Sequence, residues 1–243
     1  MESKLALLLL LVCVAYAAGQ GSSQIGESSG SDDGNNYSYP CSLDDLDCVR
    51  NYFAQSGMCS KVSHEDGETV QRDKLVCFTP KFNASYTCLD DSITFYGSKL
   101  KEFYVNTKSN NLVMSVSFEA INLYTPKAIV DLQVSGQEDV VVETYINVTY
   151  SVVLTLIVPN AGRDGLARAS VTSYNTNAVP PFAFGTEVTE SSNEVIKNFW
   201  NALVQDVATA VQELFLTKGR YLAFIYLQSY ICDYGVQYTG ELY

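Results

Sequence analysis

Histidine is almost absent from this chain, which contains one, His64, among 243 residues. A zinc site built on histidines is therefore excluded, and no Cys-x-x-Cys pair offers a substitute. His64 lies in the polar stretch 63–66, where we expect its side chain to be exposed. A Gly-x-Ser-x-Gly nucleophile motif and a glycine-rich phosphate loop are missing as well. We therefore predict a protein that is not an enzyme, with no catalytic residue, no metal and no cofactor.

Basic residues are scarce too. The chain has 15 Lys and Arg against 27 Asp and Glu, which gives a formal net charge of −12 and a pI near 4.4. Such a surface repels phosphate backbones and anionic lipid headgroups. We therefore expect neither nucleic acid nor a membrane among the partners.

Long apolar runs are limited to the N-terminus. Lys4 precedes the apolar run 5–14, and the small-x-small sequence Ala15-Tyr16-Ala17 follows it. This order is typical of a signal peptide, residues 1–17, whereas the alternative, a membrane anchor, needs about 20 apolar residues. We expect a secreted protein. Residues 18–39 are then predicted to be a flexible, acidic, Gly/Ser-rich tail, and residues 40–243 a single domain.

Six cysteines remain after the signal peptide: Cys41, Cys48, Cys59, Cys77, Cys88 and Cys232. An even number in a secreted chain indicates three disulfides. The closeness of Cys41 and Cys48 in sequence favours their pairing, and Cys232 could join the C-terminus to the N-terminal region. A free pair or an intermolecular bond is the alternative.

Three Asn-x-Ser/Thr acceptors for N-glycosylation are present, at Asn36, Asn83 and Asn147. In a secreted chain we expect at least one of them to carry a glycan.

Residues 140–158 alternate between apolar and polar side chains, with Thr144 as the exception. A period of two is that of a strand with one apolar and one polar face. At about 3.3 Å per residue the strand would be roughly 60 Å long, so it must curve in a domain of this size. Asn147 is predicted to face solvent. Four positions of the apolar face are predicted to be buried or ligand-facing: Val148, Tyr150, Val152 and Leu154.

Shorter strand patterns surround this segment. They are predicted at 74–78, 92–96, 101–107, 111–118, 127–135 and 166–174. Short polar connections between them indicate an antiparallel meander.

The period becomes helical after Pro180-Pro181. Ser191 and Glu194 form a capping-box pattern and Gly219 is a candidate C-cap, which together predict one helix over 191–218. Its apolar side includes Phe199, Trp200 and Leu203, and a second helix is predicted over 221–231.

The fold class predicted from these patterns is α+β: a long, strongly curved antiparallel β-sheet wrapped around a long C-terminal α-helix. This packing buries the apolar face of the sheet and that of the helix at once. A two-layer α+β sandwich is the alternative.

Two acidic groups are better explained by structure than by chemistry. Asp44, Asp45 and Asp47 lack the spacing of a calcium loop, and we interpret them as capping and surface charges of a short helix over 43–53. Asp90-Asp91 would point to opposite faces of a strand, so a turn is the preferred interpretation.

Tyrosines crowd the C-terminal region. Such residues either pack at the rim of a core or form an adhesive surface for another protein. They are Tyr221, Tyr226, Tyr230, Tyr234, Tyr238 and Tyr243.

The block Pro40-Cys41-Ser42-Leu43-x-Asp45-x-x-Cys48, followed by Tyr52-Phe53-Ala54, resembles the N-terminus of insect fibrohexamerins, glycoprotein components of moth and butterfly silk. The segments Phe82-Asn83-Ala84-Ser85-Tyr86 and Cys232-Asp233-Tyr234-Gly235 are similar to that family too. The order of elements also resembles the broader juvenile-hormone-binding and takeout group, which implies a curved sheet on a long helix.

The resemblance implies a non-catalytic protein of the silk gland lumen. It would associate non-covalently with silk fibroin heavy and light chains and support their assembly and secretion. The alternative is an extracellular carrier of a small hydrophobic ligand, a juvenoid or fatty molecule, in its apolar core. The bulk of Phe199, Trp200 and Phe215 favours a filled interior, and the size of any internal cavity discriminates between the two.

Overall fold

The computed structural model of the protein describes residues 36–55, 59–62, 65–136, 138–160, 168–176 and 181–235. The predicted signal peptide, most of the predicted tail and His64 lie outside these residues. The predicted tail is too long at its C-terminal end, because Tyr37 and Ser38 pair with Asn106 and Val105 of the sheet. The folded domain therefore includes residues before Pro40.

The main structural element of the described residues is an antiparallel sheet. The strands are β1 (Tyr37–Ser38), β2 (Ser60–Lys61), β3 (Thr69–Thr79), β4 (Ala84–Tyr96), β5 (Lys99–Asn106), β6 (Asn111–Leu132), β7 (Val140–Pro159), β8 (Ser170–Asn175), β9 (Phe182–Phe184) and β10 (Cys232–Asp233). Eight of them form one sheet in the order β1-β5-β6-β4-β3, with β7 paired to β6 and both β8 and β9 paired to β7. β2 and β10 form a separate pair.

β6 and β7 are the centre of the sheet. They pair along nearly their whole length, from Leu132 opposite Val140 to Asn111 opposite Pro159. The strand predicted over 140–158 is thus confirmed. The strands predicted separately at 111–118 and 127–135 are wrong as two elements, because β6 is continuous and its register shifts at 118–121 and 125–128. Such irregularities bend a strand, which explains how a sheet with strands of this length curls.

The alternation of β7 is preserved in the structure. The four apolar positions predicted to be buried are buried: Val148, Tyr150, Val152 and Leu154. Thr144, the polar exception, is buried on the same face, where its hydroxyl accepts a hydrogen bond from the Gly185 amide at 2.9 Å. Asn147 is half-buried rather than fully exposed, because the Asn122 side chain lies beside it and donates to its Oδ1 at 2.9 Å.

The helical segments are α1 (Leu46–Gln55), α2 (Thr186–Thr189), α3 (Glu194–Gln205) and α4 (Val207–Tyr226), and a π-helical turn, Leu227–Ile231, extends α4. The single helix predicted over 191–218 is wrong, since it is divided at Asp206 into α3 and α4. The Asp206 backbone leaves the helical region, with φ −137° and ψ 47°. Its carboxylate accepts from the Thr209 hydroxyl at 2.6 Å and pairs with Lys81 of the turn between β3 and β4.

Both predicted ends of that helix need correction. Asn193, not Ser191, is the N-cap of α3, and its side chain accepts hydrogen bonds from the Val195 and Ile196 amides. Gly219 does not end the helix. It lies inside α4, where a Cβ atom would be 2.5 Å from Ser173 Oγ of β8, so glycine permits the close approach of helix and strand.

The C-terminal helical segment packs on the apolar face of the sheet. The Tyr226 ring lies 4.8 Å from Phe118 of β6 and 5.4 Å from Phe95 of β4, measured between ring centroids. The Tyr230 ring stacks on Tyr226 at 5.2 Å. The fold is therefore a curled antiparallel sheet with a few helices, of which the C-terminal ones fill much of its concave face.

Candidate functional site

Two disulfides fix the ends of the domain. The predicted Cys41–Cys48 bond is confirmed. Cys232 is bonded to Cys59, so it joins the C-terminus to the N-terminal region, as predicted. Cys77 and Cys88 are buried free thiols, so the structure has the alternative of a free pair in place of the third predicted disulfide.

A small cavity lies between the sheet and the helices, with a volume of about 80 Å³. Strands β3, β4, β6 and β7 form one wall. Phe182 and Phe184 of β9, which pairs with β7, also line the cavity, and the helices contribute Leu203 of α3 and Val207 and Ala210 of α4.

A polar cluster interrupts this apolar lining. Cys77 of β3 and Cys88 of β4 both face the cavity, and Lys218 of α4 reaches the same space. All three are buried, with 8, 3 and 9% of their surface exposed. Cys77 interacts electrostatically with both Cys88 and Lys218. A buried ammonium group requires an anionic or hydrogen-bonding partner, which the thiol pair provides.

These contacts separate the pKa values of the two thiols. The hydrogen bond with Cys88 lowers the pKa of Cys77 most. Burial opposes this effect and the Lys218 charge adds to it, so that the pKa falls from 9.0 to about 6. The same contact with Cys77, together with burial, raises the pKa of Cys88 well above 9.0. Burial lowers the pKa of Lys218, but the neighbouring thiols outweigh it and the net direction is upward. These directions favour the thiolate form at Cys77, the thiol form at Cys88 and the ammonium form at Lys218.

Hydroxyl and carboxyl groups complete the polar side of the cavity. Burial raises the pKa of Asp91, whose carboxylate accepts a hydrogen bond from the Thr125 hydroxyl. The Thr79 hydroxyl donates to Tyr86 Oη at 3.4 Å, and burial raises the pKa of Tyr86 and of Tyr150.

The turn predicted at Asp90-Asp91 is wrong. Asp90-Asp91 is not a turn but an irregular point inside β4, where Asp90 has a φ of 57°. Asp90 is exposed and Asp91 is buried, so the two carboxylates do face opposite sides.

The predicted core positions surround this cavity. Val148, Tyr150 and Leu203 line it. Phe199 is buried, while Trp200 is half-buried and lies 5.8 Å from the rings of Phe182 and Phe184. Beyond the cavity the interior is filled by aromatic side chains. The side chain of Phe215 lies outside the described part of the chain.

The Cys77, Cys88 and Lys218 cluster was missed by sequence reasoning. The structure places Cys77 and Cys88 on one face of the β3–β4 hairpin, but no strand was predicted over 84–88, so the sequence analysis did not bring the two thiols together. Nothing local indicated Lys218, because its approach to Cys77 depends on the path of α4 across the sheet.

The acidic residues near the first disulfide have structural roles, as predicted. Asp45 Oδ1 accepts a hydrogen bond from the Cys48 amide at 2.8 Å, at the start of α1. Asp47 pairs with Arg50 at 3.2 Å and with Lys61 at 3.9 Å. Within the described ranges no group of three or more His, Cys, Asp or Glu side chains could hold a metal ion.

The tyrosines are distributed differently from what the sequence indicated. Tyr221, Tyr226, Tyr230 and Tyr234 are buried, so the adhesive-surface interpretation is wrong for them, and Tyr238 and Tyr243 lie outside the described residues. The exposed tyrosines lie on the sheet and its N-terminal edge. They are Tyr37, Tyr39, Tyr96, Tyr124, Tyr145 and Tyr174.

The glycosylation acceptors lie at the surface to different degrees. Asn36 and Asn83 are exposed, and Asn147 is half-buried on the face of β7 opposite the core. Asn83 Nδ2 donates to the Gln133 carbonyl at 2.7 Å. Among the described residues, no helix is both long and apolar enough to cross a membrane.

Comparisons with known proteins give consistent results. The Fibroin P25 family model matches residues 37–236. The chain is 26% identical over 210 residues to Fibrohexamerin of Galleria mellonella, which covers 84% of this chain and 91% of that protein. A solved structure, Takeout 1 of Epiphyas postvittana, covers 76% of this chain and 95% of its own at 11% identity and a TM-score of 0.35.

Proposed function

Because the chain belongs to the Fibroin P25 family, we propose that it is a secreted silk glycoprotein that binds fibroin heavy and light chains non-covalently and supports their assembly and secretion. The observation that carries this proposal is the family match over 37–236, which includes every described residue except Asn36. The same proposal makes the chain non-enzymatic and places it in the silk gland lumen.

The state of the cysteines supports a non-covalent mode of association. Four of them are used in bonds within the chain, and Cys77 and Cys88 are buried. Within the described residues no thiol is therefore exposed for a bond to a fibroin chain.

The outer face of the sheet supports a protein partner. Tyr124 of β6 and Tyr145 of β7 are 41 and 42% exposed on adjacent strands. Tyr124 lies opposite Asn147, two residues from Tyr145, so the two rings share one patch of the surface. Tyrosine offers a large contact area with a hydrogen-bonding tip, and it is enriched in protein interfaces.

The variant Tyr124→Ser/Tyr145→Ser tests this patch. Both side chains face outward, so the fold should persist while co-purification with the fibroin chains from silk gland lumen falls at least about tenfold, the equivalent of about 1.4 kcal/mol. Tyr39→Ser is the matched control, since Tyr39 is 67% exposed and lies outside the patch. Equal recovery of the double variant and wild type would place the fibroin contact elsewhere.

The cavity argues against the second candidate function, a carrier of a juvenoid or fatty molecule. Pockets for ligands of that size have volumes of about 300–1,000 Å³, whereas this cavity measures about 80 Å³. Native mass spectrometry after gentle purification should give the mass of the chain and its glycans alone. An additional mass of a bound lipid would instead favour the carrier.

A further inference from the structure

Cys77 and Cys88 are neighbours across a hairpin. In the β3–β4 pairing, Leu75 lies opposite Cys88 and Cys77 lies opposite Tyr86. The two cysteines are thus diagonal neighbours with their side chains on the same, inner face. Both side chains line the same cavity, beside Lys218.

Lys218 gives the pair an asymmetric environment. Its side chain lines the same cavity as Cys77 and is buried, so an adjacent anion stabilises its charge. The Lys218 charge stabilises the thiolate of Cys77, and the Cys88 thiol stabilises it further. A nucleophilic sulfur beside a second, resolving sulfur is the arrangement of redox-sensitive cysteine pairs.

The cavity limits which oxidant can reach these sulfur atoms. Its volume of about 80 Å³ accommodates water-sized molecules, of which one needs at least about 10–15 Å³ by this measure. Hydrogen peroxide is close to water in size, and glutathione disulfide is many times larger. The structure therefore favours a peroxide over a bulky disulfide as the co-reactant.

We propose that Cys77 and Cys88 form a redox-active dithiol, in which Cys77 reacts with hydrogen peroxide and Cys88 closes the product to a disulfide. The Cys77 sulfur attacks one peroxide oxygen, the O–O bond breaks, and the leaving hydroxide takes up a proton as water. Cys77 is then a sulfenic acid. The Cys88 sulfur attacks the Cys77 sulfur, the S–O bond breaks, and a second water leaves with the Cys88 proton. Two thiols and one peroxide thus give one disulfide and two waters.

This dithiol is independent of fibroin binding. It faces the interior, whereas Tyr124 and Tyr145 face outward. Failure of either proposal therefore leaves the other standing.

The test uses the full secreted protein. Gentle reduction should first give two free thiols per chain, with Cys41–Cys48 and Cys59–Cys232 intact by peptide mass. Hydrogen peroxide should then consume both thiols and link the peptides of Cys77 and Cys88, at least about tenfold faster than glutathione disulfide does at the same concentration.

The pH profile of this reaction is a second readout. The titratable groups that face Cys77 are Cys88, Tyr86 and Asp91 of β4, Tyr150 of β7 and Lys218 of α4. The rate should rise with pH through a midpoint near 6, the pKa of Cys77, and not near 9.

Two variants separate the roles of the neighbours. In Cys88→Ser the sulfenic acid should accumulate at Cys77 and be detected by mass spectrometry as one added oxygen atom. In Lys218→Met the pKa of Cys77 should rise, and the rate at pH 7 should fall by about tenfold for each unit by which that pKa exceeds 7. If Lys218→Met does not fold, the wild-type pH profile carries the test alone.

Three results would overturn the proposal. One is that both thiols survive peroxide at concentrations that oxidise free cysteine. Another is that hydrogen peroxide and glutathione disulfide oxidise the two thiols at equal rates. This result would show that the cavity does not select oxidants by size. The third is a pH profile of the oxidation rate with its midpoint near 9, which would show that the pKa of Cys77 is not lowered.

Discussion

At the scale of single residues, the Cys59–Cys232 disulfide restricts the unfolded chain more than the Cys41–Cys48 disulfide does. Their bond spans a sequence separation of 173 residues, against 7 for Cys41–Cys48. In the chain-entropy treatment such loops are worth about 5 and about 2 kcal/mol at 25 °C.

The double variant Cys59→Ala/Cys232→Ala should therefore lose more stability than Cys41→Ala/Cys48→Ala. The measurement is the free energy of unfolding in denaturant for both double variants and wild type. A larger loss from the shorter loop would show that native contacts at Cys41–Cys48, not chain entropy, set the contribution of these bonds.

Gly219 is a second residue with a specific role. Alanine is the better helix former by about 1 kcal/mol, yet its Cβ would lie 2.5 Å from Ser173 Oγ. Overpacking of this kind costs about 1–3 kcal/mol. We expect Gly219→Ala to lower the free energy of unfolding.

The partner substitution provides the control. In a Ser173→Gly background the same Gly219→Ala change should cost nothing or stabilise, because the obstructing side chain is gone. A cost that is equal in both backgrounds would mean that the helix, and not its contact with β8, requires glycine at this position.

Among the elements, α3 begins at a different N-cap from the one that the sequence indicated: Asn193 instead of Ser191. Ser191 followed by Glu194 fits the capping-box pattern, but Asn193 Oδ1 accepts from the Val195 amide at 2.8 Å. Asn193→Ala should cost about 1 kcal/mol, the usual loss of an N-cap, and Ser191→Ala much less. Thermal unfolding of the two variants measures the difference, and the reverse order would restore the cap at Ser191.

The strands show why some elements can be predicted from sequence and others cannot. In β7 the alternation is unbroken, so its bounds were predicted to within a residue. In β6 the register shifts on either side of 121–125 move the inward face from even to odd positions and back. Pro126, which has no amide proton, lies in the second of these irregularities. In the sequence pattern alone, such a shift indicates the end of a strand, although the strand continues.

The break between α3 and α4 illustrates a tertiary effect. The apolar spacing continues across Asp206, which is why one helix was predicted. The pairing of Asp206 with Lys81, on the distant β3–β4 turn, is visible only in the folded molecule. The helix therefore divides where a contact from the sheet reaches it.

At the scale of the whole molecule, the predicted apolar face and helix do meet, and their meeting fills most of the interior. The volume of the remaining cavity could not be predicted from the sequence, because it depends on how Leu203, Val207 and Ala210 of the helices pack against the sheet. It also could not place Lys218 beside Cys77, since the two belong to elements far apart in the chain. The family resemblance, by contrast, could be seen in the sequence, because it depends on short blocks such as Cys41 to Cys48.

The central claim is that the folded chain binds fibroin without a covalent bond. Size-exclusion chromatography of the full secreted protein with fibroin heavy and light chains measures this most directly. The protein should elute with the fibroin chains under native conditions and should separate from them in denaturant without any reductant. Elution as a free chain under native conditions, or a complex that persists in denaturant until a reductant is added, would contradict the claim.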